Sequence, residues 1–231
     1  MPKIIHSYRE DFFKKIDTEE KAYWLGFLYA DGYVRVDNPA GLRLNLQIAD
    51  IEHVEKLRTS LECTQRIKII TVPEREIRGK RIKPSTQVRL DIQRKSIAQD
   101  LTKQGCMNCK THKLLFPTPK QVPTKMIRHF LRGYFDGDGT VYTSRRPGID
   151  QHLCGFLGRH GFLKAINAII AKQCKVNPSK IYKTHGCYYI TYGGNKVTGR
   201  ILNYLYDGAT LFLDRKHLIY ARLRAFNSRN D

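Results

Sequence analysis

The sequence predicts an α+β protein made of two repeats of one unit, ordered helix, hairpin, helix, hairpin, helix and related by a pseudo-twofold axis. Two nine-residue stretches, WLGFLYADG at 24–32 and LRGYFDGDG at 131–139, stand 107 residues apart in a chain of 231. After each, the apolar spacing changes from helical periodicity to alternation, the mark of strands. Both halves then run through the same order, so the proline-rich stretch 115–123 reads as a linker between repeats at 1–117 and 118–231.

In each stretch a glycine is followed four residues later by another small residue: Gly26 and Ala30, then Gly133 and Gly137. Positions i and i+4 share a helix face, so each helix carries a stripe without bulk on which the other packs closely. Asp17 or Thr18 caps the first of these motif helices, and Glu19 and Glu20 suit its first turn. Asp31-Gly32 and Asp138-Gly139 read as the helix ends, with each glycine as a left-handed cap. A carboxylate at the negative end of a helix is disfavoured unless a cation offsets it. With the stripes packed together, Asp31 and Asp138 stand side by side and form a site for a divalent metal, and hard oxygen ligands suit Mg²⁺.

Residues 33–36 and 42–49, around a turn at 37–41, read as the first hairpin. Leu42, Leu44, Leu46 and Ile48 give one apolar face; Arg43, Asn45 and Gln47 give a face that suits guanine and adenine edges. Residues 50–61 return to helical spacing. Residues 66–72 and 85–93 form the second hairpin, with Gln87, Arg89 and Asp91 alternating against Val88, Leu90 and Ile92. Their connection holds Arg75, Arg78, Lys80, Arg81 and Lys83. A charge run is often only a solvated face, but beside these strands it reads as a phosphate-tracking loop. Arg35, Arg66 and Lys68 join the same polar surface, and a helix over 95–103 follows.

The second unit repeats the order. Thr124 opens its motif helix; 140–144 and 150–157 form a hairpin around Arg145, Arg146 and Pro147. Residues 162–174 are helical, 180–183 and 188–192 make the other hairpin with Lys180 and Lys183, and 197–206 and 215–226 are helices.

A net charge of +20 and a pI near 9.8 exceed what solubility requires and point to a polyanion, with nucleic acid the simplest choice. No apolar run is long enough to span a membrane and the N-terminus is not signal-like, so the expected place is inside a cell or organelle. The six cysteines lack disulfide-like spacing. Cys106 and Cys109 form a CxxC near His112, but no second pair completes a zinc set, so this reads as a loop with two free thiols. DGDG lacks the later ligands of a calcium-binding EF-hand loop. The start and the ending NSRND lack intein splicing residues, and no added module after the second repeat suggests a transcription regulator.

The two motif segments resemble those of the LAGLIDADG homing endonucleases in their single-chain form. The second matches closely at Gly133, Asp136, Asp138 and Gly139; the first keeps Gly26, Ala30, Asp31 and Gly32. The resemblance covers nearly the whole chain. It implies two αββαββα repeats packed through the motif helices, each with a saddle-shaped antiparallel sheet. It also implies a monomer that hydrolyses double-stranded DNA at a long asymmetric target, leaves 3′ overhangs, and needs no obligate protein partner. Asp31 and Asp138 would hold Mg²⁺, one ion activating water and one stabilising the leaving 3′ oxygen. Lys110 and Lys216, otherwise ordinary surface lysines, resemble the family's basic pair, and Gln47 its water-ordering polar residue. Aligned this way, the second-half partner of Gln47 falls at Phe156, which puts equal cleavage of both strands in doubt. Asp136 faces away from Asp138 and reads as a structural group. The alternative is a catalytically silent binding protein of the same fold, such as a maturase that binds intron RNA.

Overall fold

Two helix–sheet units, built alike, meet along their first helices. The computed structural model describes residues 6–77, 79–106, 114–146 and 149–227. Thr18 starts helix α1 (Glu19–Ala30) by accepting the Lys21 backbone N–H at 3.3 Å, with Glu19 and Glu20 in the electropositive first turn. Strands β1 (Gly32–Arg35) and β2 (Gly41–Gln47) follow, then α2 (Ile51–Ser60), β3 (Lys68–Val72), a short ribbon of β4 (Arg75–Ile77) and β5 (Lys80–Ile82), β6 (Ser85–Ile92) and α3 (Lys95–Lys103). The second unit holds α4 (Ile127–Asp138), β7 (Gly139–Arg146), β8 (Ile149–Gly158), α5 (His160–Cys174), β9 (Tyr182–Thr184), β10 (Cys187–Gly193), α6 (Asn195–Tyr206) and α7 (Asp214–Asn227).

The sheets run β1-β2-β6-β3 and β7-β8-β10-β9, all neighbours antiparallel. Matching strands therefore occupy matching places, as the pseudo-twofold relation requires. Each sheet buries alternate residues against helices: Leu42, Leu44, Val88 and Leu90 in the first, Cys154, Phe156, Ile190 and Tyr192 in the second. Between the sheets lie α1 and α4. A Cβ on Gly26 would overlap the Phe130 carbonyl oxygen, and one on Gly133 the Tyr23 carbonyl oxygen, so the two backbones touch at both glycines.

Several sequence expectations are corrected. Neither Gly32 nor Gly139 is left-handed; Gly139 is extended, at φ −81° and ψ 157°. The chain turns back across the last helical turn, and a Cβ on Gly32 would stand 2.7 Å from a Leu28 methyl, so the glycines supply space rather than a cap. Strand β2 ends at Gln47; Ile48 lies in a 3₁₀ turn and is exposed, outside the apolar face. Arg66 and Lys180 precede their strands instead of lying in them. The basic connection is not a plain loop but the β4–β5 ribbon. Thr124 opens a 3₁₀ turn, and α4 begins at Ile127. Cys106 is buried with its Sγ 3.4 Å from the Leu28 carbonyl oxygen, not part of an open thiol loop.

Candidate functional site

The two motif helices deliver their terminal carboxylates to one place. Asp31 is the C-terminal cap of α1 and is exposed, while Asp138 ends α4 and is half-buried. A Cβ on Gly137 would stand 3.0 Å from Asp31 Oδ2, so the glycine before Asp138 leaves the space beside which the Asp31 carboxylate sits. One turn back on α4, the buried Tyr134 hydroxyl donates to the Leu157 carbonyl oxygen at 2.8 Å and is hydrogen-bonded to Asp138. Burial, then the charges of Asp138 and Asp31, hold this phenol well above its ordinary pKa, so it stays protonated between its two acceptors.

Lys216 of α7 is buried, not the surface lysine its sequence suggests. Its ammonium donates to the carbonyl oxygens of Phe135 (2.5 Å), Gly137 (3.4 Å) and Gly139 (2.5 Å), the electronegative end of α4 directly beneath Asp138. Desolvation draws its pKa down to about 8, against the pull of Asp136, Asp31 and Asp138. Lys110, its counterpart in the resemblance, lies outside the described residues, as do Cys109, His112 and Pro147.

The hairpin register corrects the expected partner of Gln47. Gly32 pairs with Leu44, whereas Gly139 pairs with Phe156, so Phe156 corresponds to Leu44 and packs its ring 5.1 Å from Phe135. Three residues further on, Gln47 corresponds to Arg159. The backbones agree: Gln47 (φ −65°, ψ 151°) and Arg159 (φ −79°, ψ 153°) each stand immediately before the helical turn that follows the strand. The β7–β8 hairpin is longer than β1–β2, which shifted the sequence alignment. The polar position is therefore kept in both halves, and the asymmetry attributed to Phe156 disappears.

Asp136 faces the other way, into the core. Its carboxylate accepts hydrogen bonds from Tyr23 (2.7 Å), Tyr206 (2.5 Å) and the Leu213 N–H (2.8 Å). Since the Tyr23 proton goes to Asp136, His53 Nε2 must donate to the Tyr23 oxygen, 3.1 Å away, which leaves His53 Nδ1 as a buried acceptor without a partner. Burial accordingly lowers the His53 pKa to about 3.

The outer face of the first sheet carries Arg35, Arg43, Asn45, Gln47, Gln87, Arg89 and Lys68. These are not independent arms. Asp91 binds Arg35 and Arg43, each at 2.8 Å, and Arg89 donates to Asn45 Oδ1 at 2.8 Å, which sets the guanidinium groups in place. Arg66, Arg75, Arg81 and Lys83 are exposed beyond this face, Arg81 paired with Glu74. Arg78 lies outside the described residues; Lys80, Arg145 and Arg146 are described by backbone alone, in β5 and β7. Lys180 stands over the Tyr182 ring, and Lys183 is exposed on the helix-side register of β9, opposite Tyr188.

A family profile for the LAGLIDADG-like domain matches residues 125–154, from just before α4 into β8. The structure is similar to the I-SmaMI LAGLIDADG homing endonuclease bound to cleaved DNA, at 14% identity over 94% of this chain and 92% of that one, TM-score 0.56. The chain has the LAGLIDADG fold. The homing endonuclease I-WcaI bound to its DNA recognition sequence shares it at 13% identity over 85% of each chain, TM-score 0.55. Full-length DUF199/WhiA from Thermatoga maritima shares it at 12% identity over 95% of this chain and 66% of that one, TM-score 0.53. No curated protein matched the sequence.

Within this LAGLIDADG fold, sequence reasoning missed Tyr134 and Arg159. Tyr134 lies inside the motif and faces Phe27 in the repeat alignment, so comparing the copies position by position would have singled it out. Arg159 was legible only once the strand register was known. Among the described residues no three His, Cys, Asp or Glu side chains gather into a metal-binding group, and no helix is long and apolar enough to cross a membrane.

Proposed function

We propose that this protein is a monomeric, sequence-specific endonuclease that cuts double-stranded DNA with Mg²⁺ and leaves 3′ overhangs, its repeats 1–117 and 118–231 each taking one half of the target. The observation that carries this reading is the meeting of Asp31 and Asp138 at the ends of two touching helices, flanked by two open sheet faces on a chain of net charge +20. The DNA bound in the two similar homing endonuclease structures supports it.

The donor set fits Mg²⁺: two hard carboxylates at the negative ends of two helices, with remaining positions left to water and phosphate oxygens, as that ion favours. When bound, Mg²⁺ supplies positive charge that makes water a better nucleophile and stabilises the leaving 3′ oxygen. The chain does the rest. Tyr134 holds the Asp138 carboxylate in one orientation, and Lys216 neutralises the carbonyl end of α4 so that Asp138 remains ionised there. Gln47 and Arg159, at equivalent strand ends, orient water and scissile phosphate in the two halves. Lys110 keeps the role the resemblance implies. Arg35, Arg43, Asn45, Gln87 and Arg89 read base edges in a major groove, and Lys68, Arg75 and Arg81 follow phosphates.

Cleavage of a randomised duplex library in Mg²⁺ and in EDTA, with captured ends sequenced, tests this. Mg²⁺-dependent double-strand breaks of fixed stagger are expected, and Asp31→Asn or Asp138→Asn should abolish them while DNA affinity is kept or improved. Retained cutting in either variant would overturn the carboxylate assignment. Specific binding without cutting would favour a silent binding protein, with intron RNA the next substrate to assay.

A further inference from the structure

The outer faces of the two sheets differ in chemistry although their topologies match. On the first, four cations and one carboxylate alternate with amides beside the exposed Tyr33. On the second, the outward register holds Thr140, Tyr142, Leu153, Leu157, Tyr189 and Thr191 through its middle, with Tyr182 on the edge strand, and Arg159, the counterpart of Gln47, at its end. Tyr142 and Tyr182 are 50% and 43% exposed, too much for large aromatic side chains that serve only the core. Tyr182 stacks on Tyr189 with ring centroids 5.3 Å apart, and Lys180 stands over Tyr182. At the centre a Cβ on Gly155 would overlap the Ile190 carbonyl oxygen at 2.4 Å, so the strands pack closely there, with Thr191 Oγ1 and Thr140 Oγ1 at 3.3 and 3.4 Å. The result is a largely apolar sheet face from which the exposed tyrosine rings project.

We propose that this second face recognises its half of the duplex through the 5-methyl groups of thymines, while the first face reads its half by charged and amide hydrogen bonds. The inference rests on the duplex-DNA reading above. The net charge of +20 makes a polyanion the complementary occupant of an open face on this chain. In a major groove the thymine methyl is the one apolar group on offer, and threonine methyls and aromatic rings are its natural contacts. Unpaired RNA bases would also stack on exposed tyrosines. The stacked Tyr182–Tyr189 pair, however, already covers one ring with the other.

Replacing thymine by deoxyuridine removes the methyl and nothing else, and this is the test. On the selected target duplex, deoxyuridine is placed in one half-site at a time and affinity measured. Substitution in one half should weaken binding roughly fourfold per buried methyl, and in the other half less than twofold. The exposed-position variant Tyr142→Ser with Tyr182→Ser should erase that sensitivity while the response to substitutions in the other half is unchanged. If the duplex is bound specifically but neither half responds, or the response survives in the tyrosine variant, the methyl-reading proposal is overturned with the nuclease reading intact. Absence of any duplex binding, or preference for single-stranded RNA, would overturn both.

Discussion

Tyr134 shows how a single hydroxyl can matter more than its contact area. Its proton lies between the Leu157 carbonyl and Asp138, so Tyr134→Phe removes the group that fixes the carboxylate without opening a cavity. Cleavage should fall roughly ten- to hundredfold, as for other residues that orient metal ligands, with a higher Mg²⁺ concentration needed for half-maximal rate. Stability should change by only about 1 kcal/mol. A Mg²⁺ titration beside a urea melt separates these; an unchanged Mg²⁺ requirement would rule the role out. His53 makes a different prediction. Folded it protonates only near pH 3, unfolded near 6.5, so between these values the unfolded chain binds the extra proton and stability falls as pH falls. The loss is on the order of 5 kcal/mol across that window. Urea melts from pH 7 to 4 should show it in the wild type and show much less in His53→Gln.

At the level of elements, the α1–α4 contact is the joint on which both halves depend. Gly133→Ala would drive a methyl into the Tyr23 carbonyl, backbone against backbone, where no rotamer relieves the clash. We expect a loss of about 3 kcal/mol or more by denaturant unfolding, with the two units losing their mutual register. Lys216 ties a third element to this joint. Lys216→Met keeps much of the apolar stem but removes the ammonium from the carbonyls of Phe135, Gly137 and Gly139 at the α4–β7 junction, which should cost about 2–4 kcal/mol and slow cleavage beyond what the stability loss explains. Cleavage measured well below the variant's melting temperature makes that distinction.

Over the whole molecule, charge and shape decide affinity together. With a net charge of +20 and exposed cations on the first sheet and its ribbon, binding should weaken steeply with salt, by about 0.9 in log affinity per tenfold salt for each phosphate neutralised. Charge-removing changes at Arg75 and Arg81 should lower that slope while leaving base preference unchanged, and a flat dependence in the unaltered protein would contradict the basic saddle. The first half, whose outer register carries Arg35, Arg43, Arg89 and Lys68, should account for more of the slope than the second, whose outer register ends in Arg159.

The sequence by itself determined the class of fold, the division into two repeats and the pairing of the motif helices, because these rest on local signals: a glycine stripe at helical spacing, alternation in strands and a repeated Asp-Gly. It located Asp31 and Asp138 for the same reason. Only the tertiary structure decided what depends on register and burial. That Phe156 corresponds to Leu44 and Arg159 to Gln47 follows from strand pairing, which a hairpin of different length hides from a linear alignment. That Lys216 is buried on three carbonyls, and that Asp91 holds Arg35 and Arg43, follows from which chain segments come together across long separations, and no local pattern records that.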